Sequence, residues 1–163
     1  MIDLFNFNSA AFSDCRNYRY ALWRWWDKSK KYVMFIGLNP STADEIENDP
    51  TIRRCIGFAQ AWEFGGLCMT NLFAIRATNP KVMLNHFDPI GIDNNEWLIK
   101  LAAQAGKVIA AWGMYGGYKK RDKEIIALIP DMYCLGITKE GFPKHPLYLK
   151  KDSELMAFNK GIE

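Results

Sequence analysis

Continuous apolar runs that end in polar turns dominate the chain. Residues 32–38 are apolar at successive positions, a pattern typical of a strand buried on both faces of a parallel sheet. Three further runs of this kind predict strands at 67–73, 107–112 and 132–136. Apolar residues at helical spacing between and after these runs predict helices at 50–62, 94–104, 121–129 and 152–158, the first beginning at the capping pair Asp49-Pro50.

Strands that alternate with helices predict an α/β fold. We expect a three-layer α/β/α sandwich with a four-stranded parallel core sheet and helices on both faces. The aromatic-rich residues 18–26 predict an additional N-terminal edge strand, joined to strand 32–38 as a hairpin by the short polar link 27–31. Residues 1–13 are expected to form a loose lead-in, and residues 1–163 to form a single domain.

Arginines interrupt the aromatic strand, and two interpretations follow. Arg19 and Arg24 alternate with tyrosine and tryptophan, which is compatible with a surface that stacks nucleic-acid bases. A packed strand whose arginines extend toward water explains the same pattern and is favoured.

Composition narrows the class of protein. The chain is 49% hydrophobic and 14% aromatic, which excludes a disordered protein. Its net charge of +3 permits a phosphate-bearing partner without indicating one. The four cysteines include no closely spaced pair, so we expect no metal cluster and no cofactor. With no leader-like segment and no membrane-length apolar run, we expect a cytoplasmic protein without a membrane partner.

Each predicted core strand is followed by polar or aromatic side chains. Carboxyl ends of parallel strands meet at one edge of a sheet, where open α/β folds bind their ligands. The residues that follow the four strands, in chain order, are Asn39, Ser41, Thr42 and Asp44; Asn71 and Arg76; Trp112; and Thr138, Lys139, Lys144 and His145. Four such groups on one edge predict a ligand pocket there.

The absence of several common motifs from the sequence restricts the chemistry that can be expected. The chain lacks a phosphate-binding P-loop, a dinucleotide fingerprint and a nucleophile elbow. An acidic run at residues 44–49 would suit a magnesium ion bound by one or two carboxylates. A solvated loop with one helix cap is the more frequent explanation of such a run, and it is favoured here.

Two motifs resemble those of the uracil-DNA glycosylase superfamily. Gly-Leu-Asn-Pro-Ser at residues 37–41 is similar to the turn after the first core strand of that superfamily, and Lys-His-Pro-Leu-Tyr-Leu at 144–149 to its His-Pro loop. Asn71 matches the place of a base-reading asparagine. More closely, the whole chain resembles a bacterial and phage family described as domain of unknown function sixteen-forty-three, whose members share both segments.

The glycosylase resemblance implies an enzyme that hydrolyses the N-glycosidic bond of a damaged or modified base. It implies that Asn39 orients a water molecule, that His145 donates to the departing base, and that Asn71 reads the base edge. Asp44 is the nearest base in sequence, because an amide does not usefully accept a proton. Ser41 is a further expected substrate-binding residue, Phe73 or Trp112 would stack on the base, and Leu147 and Tyr148 would act as wedges. Lys144 would contact a phosphate, and Arg76 would bind a phosphate or a carboxylate, or pair with Asp44.

The chain also departs from the superfamily pattern. Leu147 and Tyr148 stand where a serine or second proline usually follows His-Pro, and residue 39 is an asparagine rather than an aspartate. A non-catalytic module that binds a nucleotide or nucleic acid in the same pocket is therefore the alternative. Duplex, single strand and free nucleotide all remain open as partners.

Overall fold

The computed structural model of the protein describes residues 8–158. Its strands are β1 (Asn8–Phe12), β2 (Arg19–Trp25), β3 (Tyr32–Gly37), β4 (Gly66–Asn71), β5 (Lys107–Ala110), β6 (Met132–Cys134) and β7 (Met156–Phe158). Its α-helices are α1 (Pro50–Ala61), α2 (Pro80–Leu84), α3 (Asn94–Gln104) and α4 (Arg121–Leu128), and 3₁₀ segments cover Met114–Lys120 and Pro146–Tyr148.

The strands form one sheet in the order β1-β2-β4-β3-β5-β6-β7. The four central strands, β4, β3, β5 and β6, run parallel to one another. The outer strands β1, β2 and β7 pair antiparallel with their neighbours. The mixed α/β class is thus confirmed, but the sheet has seven strands rather than a four-stranded core with one added strand.

The predicted hairpin between β2 and β3 is wrong, because β4 lies between these strands and pairs with both. The link at 27–31 wraps around Gly65, whose carbonyl accepts from the backbone N–H groups of Trp26 and Asp27. A Cβ on Gly65 would lie 2.0 Å from the Asp27 carbonyl oxygen, so glycine allows the chain to enter β4 through this loop. A short link does not by itself make two strands neighbours.

Both predicted ends of the sheet also differ from the structure. Residues 8–12, expected in a loose lead-in, form β1 and cover β2, so β2 is not an edge strand. The helix predicted at 152–158 is replaced by a turn and by β7, which pairs antiparallel with β6. The remaining lead-in residues, 1–7, lie outside the described residues.

Alternate residues of β3 enter two separate hydrophobic cores. Val33 and Phe35 pack in the core that α1 covers. Met34 and Ile36 pack in the core on the opposite face, which receives Leu98 from α3. Helices therefore cover both faces of the sheet, and the site at its carboxyl edge rests on a strand that is rigidly buried.

The start of α1 is fixed as the sequence predicts. The Asp49 carboxylate accepts the Ile52 backbone N–H at 2.8 Å, and Pro50 occupies the first helical position. Because α1 follows a parallel strand and returns along the sheet, its N-terminus lies at the carboxyl edge. This places Asp49 beside the polar turn that follows β3.

Candidate functional site

A cavity of about 440 Å³ opens at the carboxyl ends of β3, β4 and β5. It is of the size that proteins use for small-molecule ligands. Seven residues predicted from sequence to bind or act on the substrate line it: Asn39, Ser41, Asn71, Trp112, His145, Leu147 and Tyr148. The structure thus brings together polar groups from four separate strand ends.

Asn39 is held in one orientation by its amide nitrogen. Nδ2 donates to the Ala77 carbonyl at 2.8 Å and to the Pro40 carbonyl at 3.2 Å. Two carbonyl acceptors require the nitrogen on that side, so Oδ1 faces away from them. Among residues 8–158, no group donates a hydrogen bond to this oxygen, which leaves it available to a ligand or a water molecule.

Asn71 presents the complementary atom. Its Oδ1 accepts from Arg19 Nη2 at 3.5 Å, while Nδ2 has no acceptor among the described residues. A Cβ on Gly37 would lie 2.9 Å from that Nδ2, so the glycine at the end of β3 makes room for the amide. Asn71 therefore offers the cavity an N–H donor.

His145 also offers a donor. Its Nδ1 accepts the Leu147 backbone N–H at 3.2 Å. Burial lowers the pKa of His145 below its ordinary value, and the Asp49 carboxylate opposes this only in part. The imidazole is therefore neutral near pH 7 and carries its proton on Nε2.

Asp49 is the acidic side chain that lines the cavity. It is 8% exposed, and Oδ1 is bonded to the first turn of α1. Its second oxygen has no hydrogen-bond donor among the described residues. The sequence pattern favours Asp49 as a helix cap over a magnesium ligand, and it does not indicate that a cap after a parallel strand lies at the ligand-binding edge.

The structure places Asp44 outside this cavity, unlike the sequence expectation. Its Oδ1 accepts the backbone N–H groups of Ile46 and Glu47 at 2.9 and 2.8 Å. These bonds, that of Glu47 first, lower the pKa of the Asp44 carboxyl. Asp44 is a turn-forming residue, and neither Ile46 nor Glu47, which donate to its carboxylate, lines the cavity.

Three predicted binding residues also lie elsewhere. Phe73 is fully buried in the core, where it packs against Tyr118, so its ring has no free face. Arg76 stacks over the Phe12 ring at 4.8 Å, and Lys144 is exposed on the loop after β6. None of the three lines the cavity.

Of the aromatic residues that the sequence predicts in this cavity, Trp112 is more buried than expected and Tyr148 is exposed. Trp112 is 1% exposed, and its ring packs edge-on against Phe158 at 5.6 Å. Only a small part of the indole reaches the cavity. Tyr148, which is 85% exposed, stands at the rim with its ring centroid 6.0 Å from that of His145.

Arg19 lies in the site, although the favoured sequence interpretation predicts a packed strand residue that extends toward water. It is 2% exposed and lines the cavity beside Asn71. It enters the site because β2 runs antiparallel to β4, which brings the first residue of β2 to the carboxyl end of β4. The position of Arg19 in the site follows from the pairing of β2 with β4, and no sequence motif indicates it.

A second cavity of about 560 Å³ lies on the outer side of α1. Arg53, Arg54 and Lys151 line it with apolar residues, and Leu147 borders both cavities. Among the described residues, those that line it include no carboxylate, amide or imidazole side chain, so we assign the chemistry to the first cavity.

Within residues 8–158, no group of three or more His, Cys, Asp or Glu side chains is placed to hold a metal ion. The acidic run does not converge, because Glu45 pairs with Arg16 at 2.7 Å while Asp44 and Asp49 bond to backbone. In the same part of the chain, no helix has the length and apolarity needed to span a membrane.

The family model described as "Protein of unknown function (DUF1643)" matches residues 19–147. The chain belongs to this family. The match begins at Arg19 and ends at Leu147, so the DUF1643 region contains every residue that lines the candidate site except Tyr148. No curated protein and no solved structure matches the chain significantly.

Proposed function

We propose that this DUF1643 protein hydrolyses the N-glycosidic bond of a damaged or modified base in a nucleotide or nucleic acid. The observation that carries the proposal is one cavity in which Asn39 exposes an acceptor while Asn71 and His145 expose donors. Four parallel strands with helices on both faces support the resemblance to the uracil-DNA glycosylase superfamily.

In this proposal a water molecule attacks the sugar carbon that bears the base. Asn39 Oδ1 accepts one hydrogen of the water and orients its lone pair. The free oxygen of Asp49 accepts the proton as the carbon–oxygen bond forms, which makes Asp49, rather than Asp44, the general base.

The carbon–nitrogen bond breaks as negative charge accumulates on the departing base. His145 Nε2–H and Asn71 Nδ2–H donate to the oxygens of that base and stabilise the charge. The proton taken from water is finally returned to the base nitrogen. Neutral His145 serves as a fixed donor and needs no change of protonation.

A binding module without turnover is the second candidate. It is favoured because both carboxylates already accept hydrogen bonds from the backbone. Asp44 accepts from its own loop, and one oxygen of Asp49 accepts from the first turn of α1. The same donors and acceptors would then hold a base without cleaving it.

A turnover screen separates the two candidates. The purified protein is incubated with free deoxynucleotides and with single- and double-stranded DNAs that carry uracil, hypoxanthine, xanthine or phage-type modified bases. Abasic sites are detected by alkaline strand cleavage, and released base by chromatography. We expect Asp49→Asn to lower turnover by about 10²-fold or more, which is typical of losing a general base.

Asp49→Asn is well suited to this test because asparagine caps helices about as well as aspartate. Asp44→Asn is the matched control, and we expect it to change turnover by less than about threefold. Absence of base release from every substrate would contradict the enzymatic proposal, as would an Asp49→Asn variant with unchanged turnover.

A further inference from the structure

The buried arginines of this protein differ in what compensates their charge. Arg24, which is 3% exposed, donates to the Asn48 side chain and to the carbonyls of Trp23, Asp44 and Glu47. Arg121, which is fully buried, forms an ion pair with Glu124 at 2.9 Å. Arg24 therefore has four hydrogen bonds, and Arg121 has a carboxylate.

Arg19 has neither. Nη1 donates to the Ala43 carbonyl at 3.0 Å, Nη2 reaches Asn71 Oδ1 only at 3.5 Å, and the buried Nε has no partner among the described residues. No carboxylate within residues 8–158 lies within 4 Å of this guanidinium. Burying a charge with a single close hydrogen bond and no carboxylate is costly, so such a group is an unusual feature of a finished fold.

The guanidinium nevertheless stays charged. Burial lowers the pKa of Arg19 to about 10, which is still well above neutral pH. The cavity wall therefore holds a cation in a site of restricted solvent access. Arginine in such a place is suited to phosphate, which its planar group binds through two donors.

The N-terminus of α1 opens on the same cavity. Thr51 and Ile52 of its first turn line the wall, and this turn contains no acidic residue. The helix dipole adds positive potential there. Asp49 is the opposing charge; it attracts Arg19 at longer range, without a direct ion pair, and its Oδ1 is bonded to Ile52.

We propose that Arg19 binds a phosphate group of the ligand at the inner wall of this cavity. The inference rests on the proposed function in one respect, because a nucleotide ligand is what supplies a phosphate. The phosphate belongs either to a free nucleotide or to a nucleic-acid strand, and both sources place the same oxyanion against the guanidinium.

Calorimetric titration tests the proposal without requiring turnover. The probes are inorganic phosphate, deoxyuridine, deoxyuridine 5′-monophosphate, and a short deoxyuridine-containing single strand without a terminal phosphate. We expect the wild-type protein to bind the monophosphate or the strand at least tenfold more tightly than the nucleoside. A gain for the monophosphate identifies a free nucleotide, and a gain confined to the strand identifies an internal phosphate.

Variants of the two buried arginines on β2 supply the controls. Arg19→Met is expected to abolish the preference for the phosphorylated probe, and Arg24→Met to retain it, although both remove a buried cation from the same strand. Arg19→Lys keeps a charge at the site and is expected to retain part of the preference. This variant separates loss of the charge from a folding defect as the cause of the loss in Arg19→Met.

Equal binding of nucleoside and phosphorylated probes would overturn the inference. So would failure of every probe to bind, or a phosphate preference that survives in Arg19→Met. A protein that shows the Arg19-dependent preference but releases no base contradicts the proposed enzyme alone, whereas one that releases base with no phosphate preference contradicts this inference alone.

Discussion

Asn39, Asn71 and His145 each divide their polar atoms between the protein and the cavity. In Asn39 and His145 one polar atom is hydrogen-bonded to the protein, which fixes the orientation of the other. In Asn71 the contact of Oδ1 with Arg19 is longer, at 3.5 Å, and orients the amide more weakly. Side chains fixed in this way bind or stabilise charge without reorganising, which is the condition for effective electrostatic catalysis. The sequence placed these residues at one sheet edge, but only their hydrogen bonds decide which atom faces the ligand.

The protonation of His145 gives a prediction at this scale. Its folded-state pKa lies below the ordinary value of 6.5 because the ring is partly buried and loses hydration. As the pH falls through 6.5 toward the folded-state pKa, the unfolded chain takes up a proton that the folded protein does not. The free energy of unfolding should therefore decrease on acidification from pH 7 to pH 5, and this decrease should be smaller in His145→Asn.

Denaturant unfolding at several pH values measures this effect. Asparagine retains an acceptor for the Leu147 N–H, so the loop keeps its geometry. Carboxyl groups whose pKa is lowered in the folded protein, such as Asp44 and Glu45, are present in both proteins, so their contribution cancels in the comparison. An identical slope between pH 5 and pH 7 in the two proteins would contradict the assignment.

At the scale of elements, the site depends on the space that Gly37, at the end of β3, leaves for two side chains of β4. A Cβ on Gly37 would meet Met69 Cε at 2.8 Å and Asn71 Nδ2 at 2.9 Å. We expect Gly37→Ala to lower the free energy of unfolding by about 1 kcal/mol, the lower end for an overpacked core substitution, because both atoms are the ends of side chains that can shift. It should also displace the Asn71 amide and weaken ligand binding.

Gly57 provides the matched substitution, because a Cβ there meets nothing within 4 Å on the exposed side of α1. Gly57→Ala should raise the free energy of unfolding by about 0.5–1 kcal/mol. Thermal or denaturant unfolding of both variants checks the pair. A Gly37→Ala protein as stable as the wild type, with unchanged ligand binding, would show that the close approach is unimportant.

Elements whose signal is local were predictable, and pairings between distant elements were not. The start of α1 at Asp49 and the apolar strand β3 follow from capping and from hydrophobic pattern, and both occur as expected. The position of β4 between β2 and β3 depends on a loop that closes around Gly65. No hydrophobic periodicity indicates the contact of this loop with Gly65. The pairing of β2 with β4 in turn places Arg19 in the site.

At the scale of the whole molecule, the sheet separates two cores that share its strands. Cys55 lies in the core beneath α1, whereas Cys68 and Cys134 lie in the core on the opposite face. All four cysteines are free, and burial raises the pKa of the Cys55, Cys68 and Cys134 thiols. Cys15 is exposed, and a hydrogen bond with Ser13 lowers its pKa. The rate at which a reagent modifies Cys15 therefore reports on the surface, and the rates for the buried cysteines report on the two cores.

We expect an aromatic disulfide reagent at neutral pH to modify Cys15 rapidly and the three buried thiols only as fast as the protein unfolds, because a buried thiol must first be exposed. Cys15→Ser should remove the rapid phase, and denaturant should make all four wild-type thiols reactive at once.

If the two cores open as one cooperative unit, Cys55 will react at the same rate as Cys68 and Cys134, as mass spectrometry of the labelled peptides would show. A faster rate for Cys55 would instead mean that α1 separates from the sheet while the opposite core persists. Since α1 carries Asp49, such an opening would dismantle the candidate site before the fold is lost.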